Sequence, residues 1–221
     1  MNTSIEQLIA PDDIYIEGRD FTPHELQAMC LDNLLTHYIG NVYITTGYLD
    51  TPNTRIQAAA AGLPEYVIPR CIFGWTTALW IYGLTTTPYH LDIISVSGEH
   101  RLSKYFRFNQ VRIHEMQITG KDIWYISNLK ITSPERTAFD IALYSYTEKA
   151  IQQLFQLKSI ANFDIVEQKL LEAQQRKYPK ARQGLRRIRM IRDKFPDYQL
   201  PEFTRNFFDT HQILHQSDGQ L

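Results

Sequence analysis

The sequence predicts a mixed α+β fold. Three observations carry that expectation. Helix starts with a Thr or Ser cap followed by Pro recur at Thr22-Pro23, Thr51-Pro52 and Ser133-Pro134. Short runs of β-branched and aromatic residues lie between them, and thirteen tyrosines favour half-buried extended chain. Beyond Pro134 the apolar spacing turns helical throughout. A chain of 221 residues with 43% hydrophobic and 21% charged residues can bury a core without staples.

Taken in order, Ile14-Tyr15-Ile16 reads as extended chain. Phe21–Cys30 reads as a short helix with Thr22 at the N-cap, Pro23 at N1 and Glu25 at N3. Leu31, Leu34 and Leu35 suggest a second helical turn before Gly40-Asn41 turns the chain into a β run, Val42–Thr46. Helix, short helix and strand match the end of a reduced winged helix. Thr51–Gly62 has a Thr-Pro start and a Gly stop. Tyr66-Val67-Ile68 reads as a strand, Phe73–Tyr82 as an apolar helix closed by Gly83, and Leu91–Val96 as a buried strand. Tyr105–Phe108, Val111–Ile113 and Ile123–Ile126 read as a meander.

Thr132 or Ser133 then caps a helix with Pro134 at its start, and Glu135 can complete a capping box with Thr132. Arg136 and Asp140 stand at i,i+4 on one face and are expected to pair, with Arg136 anchoring a loop or a strand end. Glu148–Lys158 places Ile151, Leu154 and Phe155 on one helical face, and Asp164–Glu167 reads as a capping box opening a helix to about Arg176. Residues 181–195 set Leu185, Ile188, Ile191 and Phe195 at helical spacing. The organisation expected is an acidic module over 1–48, an α/β unit over 49–145 and a helical extension over 146–221.

Charge is unevenly placed although the whole chain is −1. Residues 1–66 hold two basic against nine acidic side chains, a net −7, and residues 169–194 hold ten against two, a net +8. The basic segment is the best candidate surface for a polyanion or an acidic partner. Its candidate DNA contacts are Arg176, Lys177, Lys180, Arg182, Arg186, Arg187 and Arg189. It can equally be a solvated amphipathic helix or a mate for the acidic N-terminal part.

Other chemistry is thinly represented. His211 and His215 have i,i+4 spacing but no third ligand nearby, so no metal is expected. Asp92 with Glu167-Gln168-Lys169 supplies nuclease-type residues, but the triplet falls on a helix. Phosphate-loop, GxSxG and HExxH motifs are absent, and no catalytic residue or cofactor is expected. Cys30 and Cys71 form no CxxC pair and read as core or cryptic thiols, and Trp75, Trp80 and Trp124 read as core. No apolar run reaches about 20 residues, and the N-terminal segment is mixed and acidic, so a cytoplasmic protein is expected.

Three blocks in order, Gly40–Ile44, Thr77–Leu84 and Ile131–Ala142, resemble the AbiEi-type antitoxin family. The resemblance covers about residues 21–145, with Thr132, Ser133, Pro134, Arg136 and Asp140 as its structural signature. It implies a winged-helix start, autoregulation by operator DNA and a cognate toxin that is a nucleotidyltransferase. The chain departs from the family pattern at Tyr82, where many relatives carry His, and in its acidic rather than basic N-terminal module. The resemblance therefore implies a non-enzymatic antitoxin-like transcriptional regulator. The alternatives are a protein-interaction module that has lost DNA binding, using an apolar patch such as Phe207, Phe208, Ile213 and Leu214, and, more distantly, a nuclease-like enzyme.

Overall fold

A computed structural model describes residues 13–96, 110–195, 199, 202 and 204–208. Tyr105–Phe108, His211, His215, Ile213 and Leu214 lie outside the described residues. The fold is α+β, with two sheets and a helical C-terminal layer.

The first sheet has the strand order β1-β3-β2, from β1 (Ile14–Ile16), β2 (Leu35–Ile39) and β3 (Val42–Thr45), all antiparallel. Helix α1 (Pro23–Leu31) sits between β1 and β2 in the chain. The Thr22 hydroxyl accepts from the Glu25 N–H at 3.3 Å, and the Glu25 carboxylate accepts from the Thr22 N–H at 2.8 Å. This capping box is the one the sequence predicts. The expected second helical turn at Leu31–Leu35 does not form. Asn33 takes a left-handed φ of 57°, which ends the helix and starts β2 at Leu35. Among the described residues the module thus has one helix and an antiparallel β2–β3 pair.

Helix α2 (Pro52–Ala61) buries Ile56 and four alanines beneath this sheet, which joins the module to the rest of the core. Ile14, Val42 and Ile44 share one continuous apolar cluster with Phe73, Ile131, Ile141, Leu154 and Ile188. The expected divisions near 48 and 145 therefore mark changes of architecture within one core.

The second sheet has the order β6-β5-β4-β8-β7. Its strands are β4 (Cys71–Phe73), β5 (Leu91–Val96), β6 (Val111–Met116), β7 (Ile123–Ile126) and β8 (Leu129–Thr132). It is no meander. β5 and β6 run parallel, as do β4 and β8, while β4–β5 and β7–β8 are antiparallel. The strand expected at Tyr66–Ile68 is a turn leading to a short 3-10 helix, Ile68–Arg70, because Pro69 removes a ladder donor. β4 instead follows at Cys71, inside what reads as one apolar run into α3 (Trp75–Ile81).

Four helices follow β8: α4 (Pro134–Tyr144), α5 (Thr147–Leu157), α6 (Phe163–Gln175) and α7 (Ala181–Lys194), and residues 204–208 are also helical. α4 packs against α5, α6 and α7, and α7 lies against α4, α5 and α6. Its position requires Gly184, where a Cβ would come within 2.9 Å of Leu170 Cδ2 and 3.4 Å of the Ala142 carbonyl. Asn162 caps α6 by accepting from the Asp164 and Ile165 N–H groups, which corrects the capping box expected over Asp164–Glu167.

Among the described residues no helix is long and apolar enough to cross a membrane. Gly83 closes α3 with φ +79°, and a Cβ there would collide with Thr204 Oγ1. Gly83→Ala is accordingly expected to lower the unfolding free energy by about 1–3 kcal/mol in a urea titration, from left-handed strain and the clash together. Gly62→Ala keeps a helical φ of −74°, and its nearest neighbour would be the Val42 Cγ2 at 3.2 Å, so it should cost less.

Candidate nucleic-acid interface and the adjoining cleft

The Ser133–Asp140 segment organises the region. Ser133 is the N-cap, its hydroxyl accepting from the Arg136 N–H at 3.2 Å. The capping box predicted for Thr132 and Glu135 is not made. Thr132 Oγ1 instead pairs with Thr137 Oγ1 at 2.7 Å, and the Glu135 carboxylate accepts from the Asn162 N–H at 3.0 Å. Pro134 fills the first helical position. Tyr82 donates its hydroxyl to the Thr132 carbonyl, so it ties the end of α3 to the end of β8.

Arg136 and Asp140 do pair, with Arg136 Nε donating to Asp140 Oδ2 at 2.9 Å. Arg136 Nη1 also donates to the Gln117 carbonyl at 3.3 Å and stands 3.6 Å from Asp122 Oδ2. The guanidinium therefore anchors the loop leaving β6, the role expected of it. Its two carboxylate neighbours are driven in opposite directions. Asp140 is wholly buried, and desolvation pushes its carboxyl up to about 6 despite Arg136. Asp122 is also penalised by burial, but the Lys169 ammonium and the Thr119 hydroxyl hold it below the usual carboxylate range.

Beside this network opens a cleft of about 930 Å³. One wall is an aromatic stack. Trp75 lies flat on His114 with ring centroids 4.1 Å apart and 9° between planes, and on Tyr144 at 5.4 Å and 21°. Tyr178 meets Tyr144 edge-on, and their hydroxyls hydrogen-bond. His114 Nε2 is held 2.9 Å from Asp92 Oδ1. Lys121, Lys169 and Arg176 also line the cleft, together with Asp122 and Glu172. Trp75 adopts φ +53°, a left-handed conformation that costs a bulky residue about 1–2 kcal/mol. Its surroundings must hold it there, as is common around binding sites.

The basic segment splits into two classes. Helix α7 starts at Ala181. α6 ends in a left-handed Lys177 (φ 57°), with the Tyr178 N–H bonded to the Ala173 carbonyl and the Lys177 N–H to the Gln174 carbonyl. That is a Schellman stop. Pro179 and a second left-handed residue, Lys180, complete a stiff corner. Arg176, Lys177, Lys180, Arg182 and Arg186 are exposed there, and none forms an ion pair among the described residues. Two of the seven predicted contacts differ. Arg187 is only 5% exposed, donates from Nη1 to the Ala142 carbonyl at 2.7 Å, and has its pKa lowered by burial. Arg189 is engaged by Glu167 at 2.7 Å, and Arg192 bonds the same carboxylate. Among the described residues, this helix takes no substantial packing from the acidic N-terminal module. Its neighbours are α4, α5 and α6.

The nuclease-type residues are not brought together. Asp92 faces His114 on the sheet, whereas Glu167 is on α6 with Arg189 and Arg192, and Lys169 bonds Asp122. Sequence reasoning assigned Trp75 to the core and did not single out His114, Tyr144 or Tyr178. These residues come from different elements, and no spacing links them.

No family model and no curated protein sequence matches the chain. Among solved structures, the crystal structure of RV2827C protein from Mycobacterium tuberculosis aligns with 80% of this chain and 71% of its own, at 12% identity and a TM-score of 0.40. A likeness that distant carries no argument here.

Arg136→Met would strand the Asp140 charge in the interior and should lower stability by about 3–5 kcal/mol. The raised carboxyl of Asp140 has a definite sign. Its contribution is fully present below its unfolded pKa of 3.8 and is lost as pH rises through about 6. Urea midpoints for wild type and Asp140→Asn should therefore diverge between about pH 4 and 6, with wild type losing ground to the variant as pH rises. Parallel midpoints would show that Asp140 titrates normally.

Proposed function

We propose that this chain is a non-enzymatic, antitoxin-like transcriptional regulator that holds DNA on the corner formed by Arg176, Lys177, Lys180, Arg182 and Arg186. One observation carries the reading. Five exposed cations stand on a stiff turn and the first turns of α7, with no acidic residue between positions 176 and 186 and no intramolecular ion pair among the described residues. Carboxylates of α6 neutralise Arg189 and Arg192 only, so the remaining charge is left for a partner. Phosphate contacts of this kind supply sequence-independent affinity and orient the protein on the duplex.

The N-terminal sheet, with its two-stranded wing, fits a reduced winged helix, but residues 13–48 carry one basic against five acidic side chains. That charge repels phosphate and suits a basic protein surface. α1 buries only Leu26 and leaves Leu31 78% exposed, and Leu34, in the turn before β2, is 54% exposed. These features favour a protein partner on this face, for which the family resemblance supplies a nucleotidyltransferase toxin. The cytoplasm is the compartment where such a regulator works.

The test is anisotropy binding to a mixed-sequence DNA duplex across a salt series. Wild type should bind with steep salt dependence. Arg182→Ala/Arg186→Ala should weaken binding and flatten the log–log slope by about two, roughly one for each phosphate no longer neutralised. Arg187→Met should leave the slope unchanged, because that guanidinium faces α4. No binding at low salt, or an unchanged slope in the double variant, would remove DNA from this corner.

A further inference from the structure

The corner and the aromatic cleft share residues. Arg176 and Tyr178 line the cleft and also belong to the turn that carries Lys177 and Lys180. A strand following the cations toward Arg176 therefore reaches the mouth of the cleft. At about 930 Å³ the cleft lies within the range of pockets that enclose a small ligand.

Its chemistry is that of a nucleotide site rather than of a phosphate track. Tyr178 offers a ring that is 46% exposed, with half-buried Tyr144 beside it. The Trp75–His114 stack closes the wall behind them, so the recess is backed by packed rings and does not depend on a ligand to stay open. The Schellman stop and Pro179 fix Tyr178 in place, so little ordering is left to occur on binding. Lys121 and Arg176 line the same cleft, exposed and without an ion pair among the described residues. A planar heterocycle has a π-face for the tyrosines, and its phosphates have the two cations. Bases inside an intact duplex are stacked on one another and cannot enter such a recess. An unpaired or extruded base can.

We infer that the cleft receives one unpaired nucleotide of a DNA strand held on the corner, its base against Tyr178 and Tyr144 and its phosphate toward Arg176 and Lys121. This inference rests on the proposed reading of the corner as a DNA surface. It adds a preference that the cations alone cannot produce. Phosphate contacts do not distinguish a perfect duplex from one with an extra base, whereas the cleft does.

The experiment compares three labelled DNAs with the full chain at one salt concentration. They are a perfect duplex, the same duplex with a single-nucleotide bulge, and the same bulge made abasic. Wild type should bind the bulged duplex about 5- to 100-fold more tightly than the other two, the range a single base–aromatic stack gives. Tyr178→Ala should abolish this preference, bringing the bulged duplex to the affinity of the other two. Tyr178→Phe keeps the ring, loses only the hydroxyl bond to Tyr144, and should retain the preference. The abasic bulge separates stacking from the added flexibility of the bulge. Equal affinity for the bulged and abasic duplexes, or a Tyr178→Ala loss shared by all three DNAs, would overturn the inference and leave the DNA-binding corner standing. Failure of all three DNAs to bind would remove the corner and the inference together.

Discussion

The Arg136 guanidinium is the contact on which this part of the molecule depends. It enters from the first turn of α4 and reaches Asp140 on its own helix, the Gln117 carbonyl after β6 and Asp122 before β7. Asp122 in turn bonds Lys169 of α6. One cation thus ties the edge of the sheet to two helices. Taking Arg136 and Asp140 out of water offsets much of their attraction, so the pair adds little net stability while both members are present. Its effect is positional. With the loop at Gln117 and Asp122 held, the cleft has a fixed floor and α6 has a fixed azimuth.

The basic corner inherits its geometry from that azimuth. α6 stops at a left-handed Lys177, and α7 returns across α4 through the close approach that Gly184 permits. Glu167 on α6 then meets Arg189 and Arg192, which leaves the cations at 176–186 facing outward. Placing Lys177 and Lys180 in left-handed conformations costs stability that glycine would not. The same positions put two ammonium groups at the apex of the turn. The strained Trp75 follows the same logic, since its φ of +53° sets the ring between His114 and Tyr144.

Much of the fold was legible because it is local. The caps at Thr22, Thr51 and Ser133 form with neighbours three residues away, while the box expected of Thr132 and Glu135 does not form. β1, β3, β5 and β7 are marked by apolar and aromatic runs between turns. Other elements were hidden. β4 merges with the apolar start of α3, and β8 runs straight into the Ser133 cap, so neither has a boundary of its own in composition. The parallel pairing of β5 with β6 could not be read, because alternation is the same for either direction of the partner strand. The cleft was illegible for a stronger reason. Trp75, His114, Tyr144 and Tyr178 are brought together by sheet order and helix packing, and no short-range rule connects them.

The arginines of α7 draw the line between the two sources of information. At about 100° per residue, Leu185, Ile188 and Ile191 define a core stripe from the sequence alone. Arg187 and Arg189 flank that stripe on either side, and Arg182 and Arg186 lie farther round. Amphipathic period determined that the helix exists and which stripe it buries. It could not determine how wide the covered face is, because that depends on which helices lie alongside. Tertiary packing set α4 against one flank, which buries Arg187 on the Ala142 carbonyl, and α6 against the other, which gives Arg189 to Glu167. Among the described residues, the cations beyond both neighbours, such as Arg182 and Arg186, stay exposed.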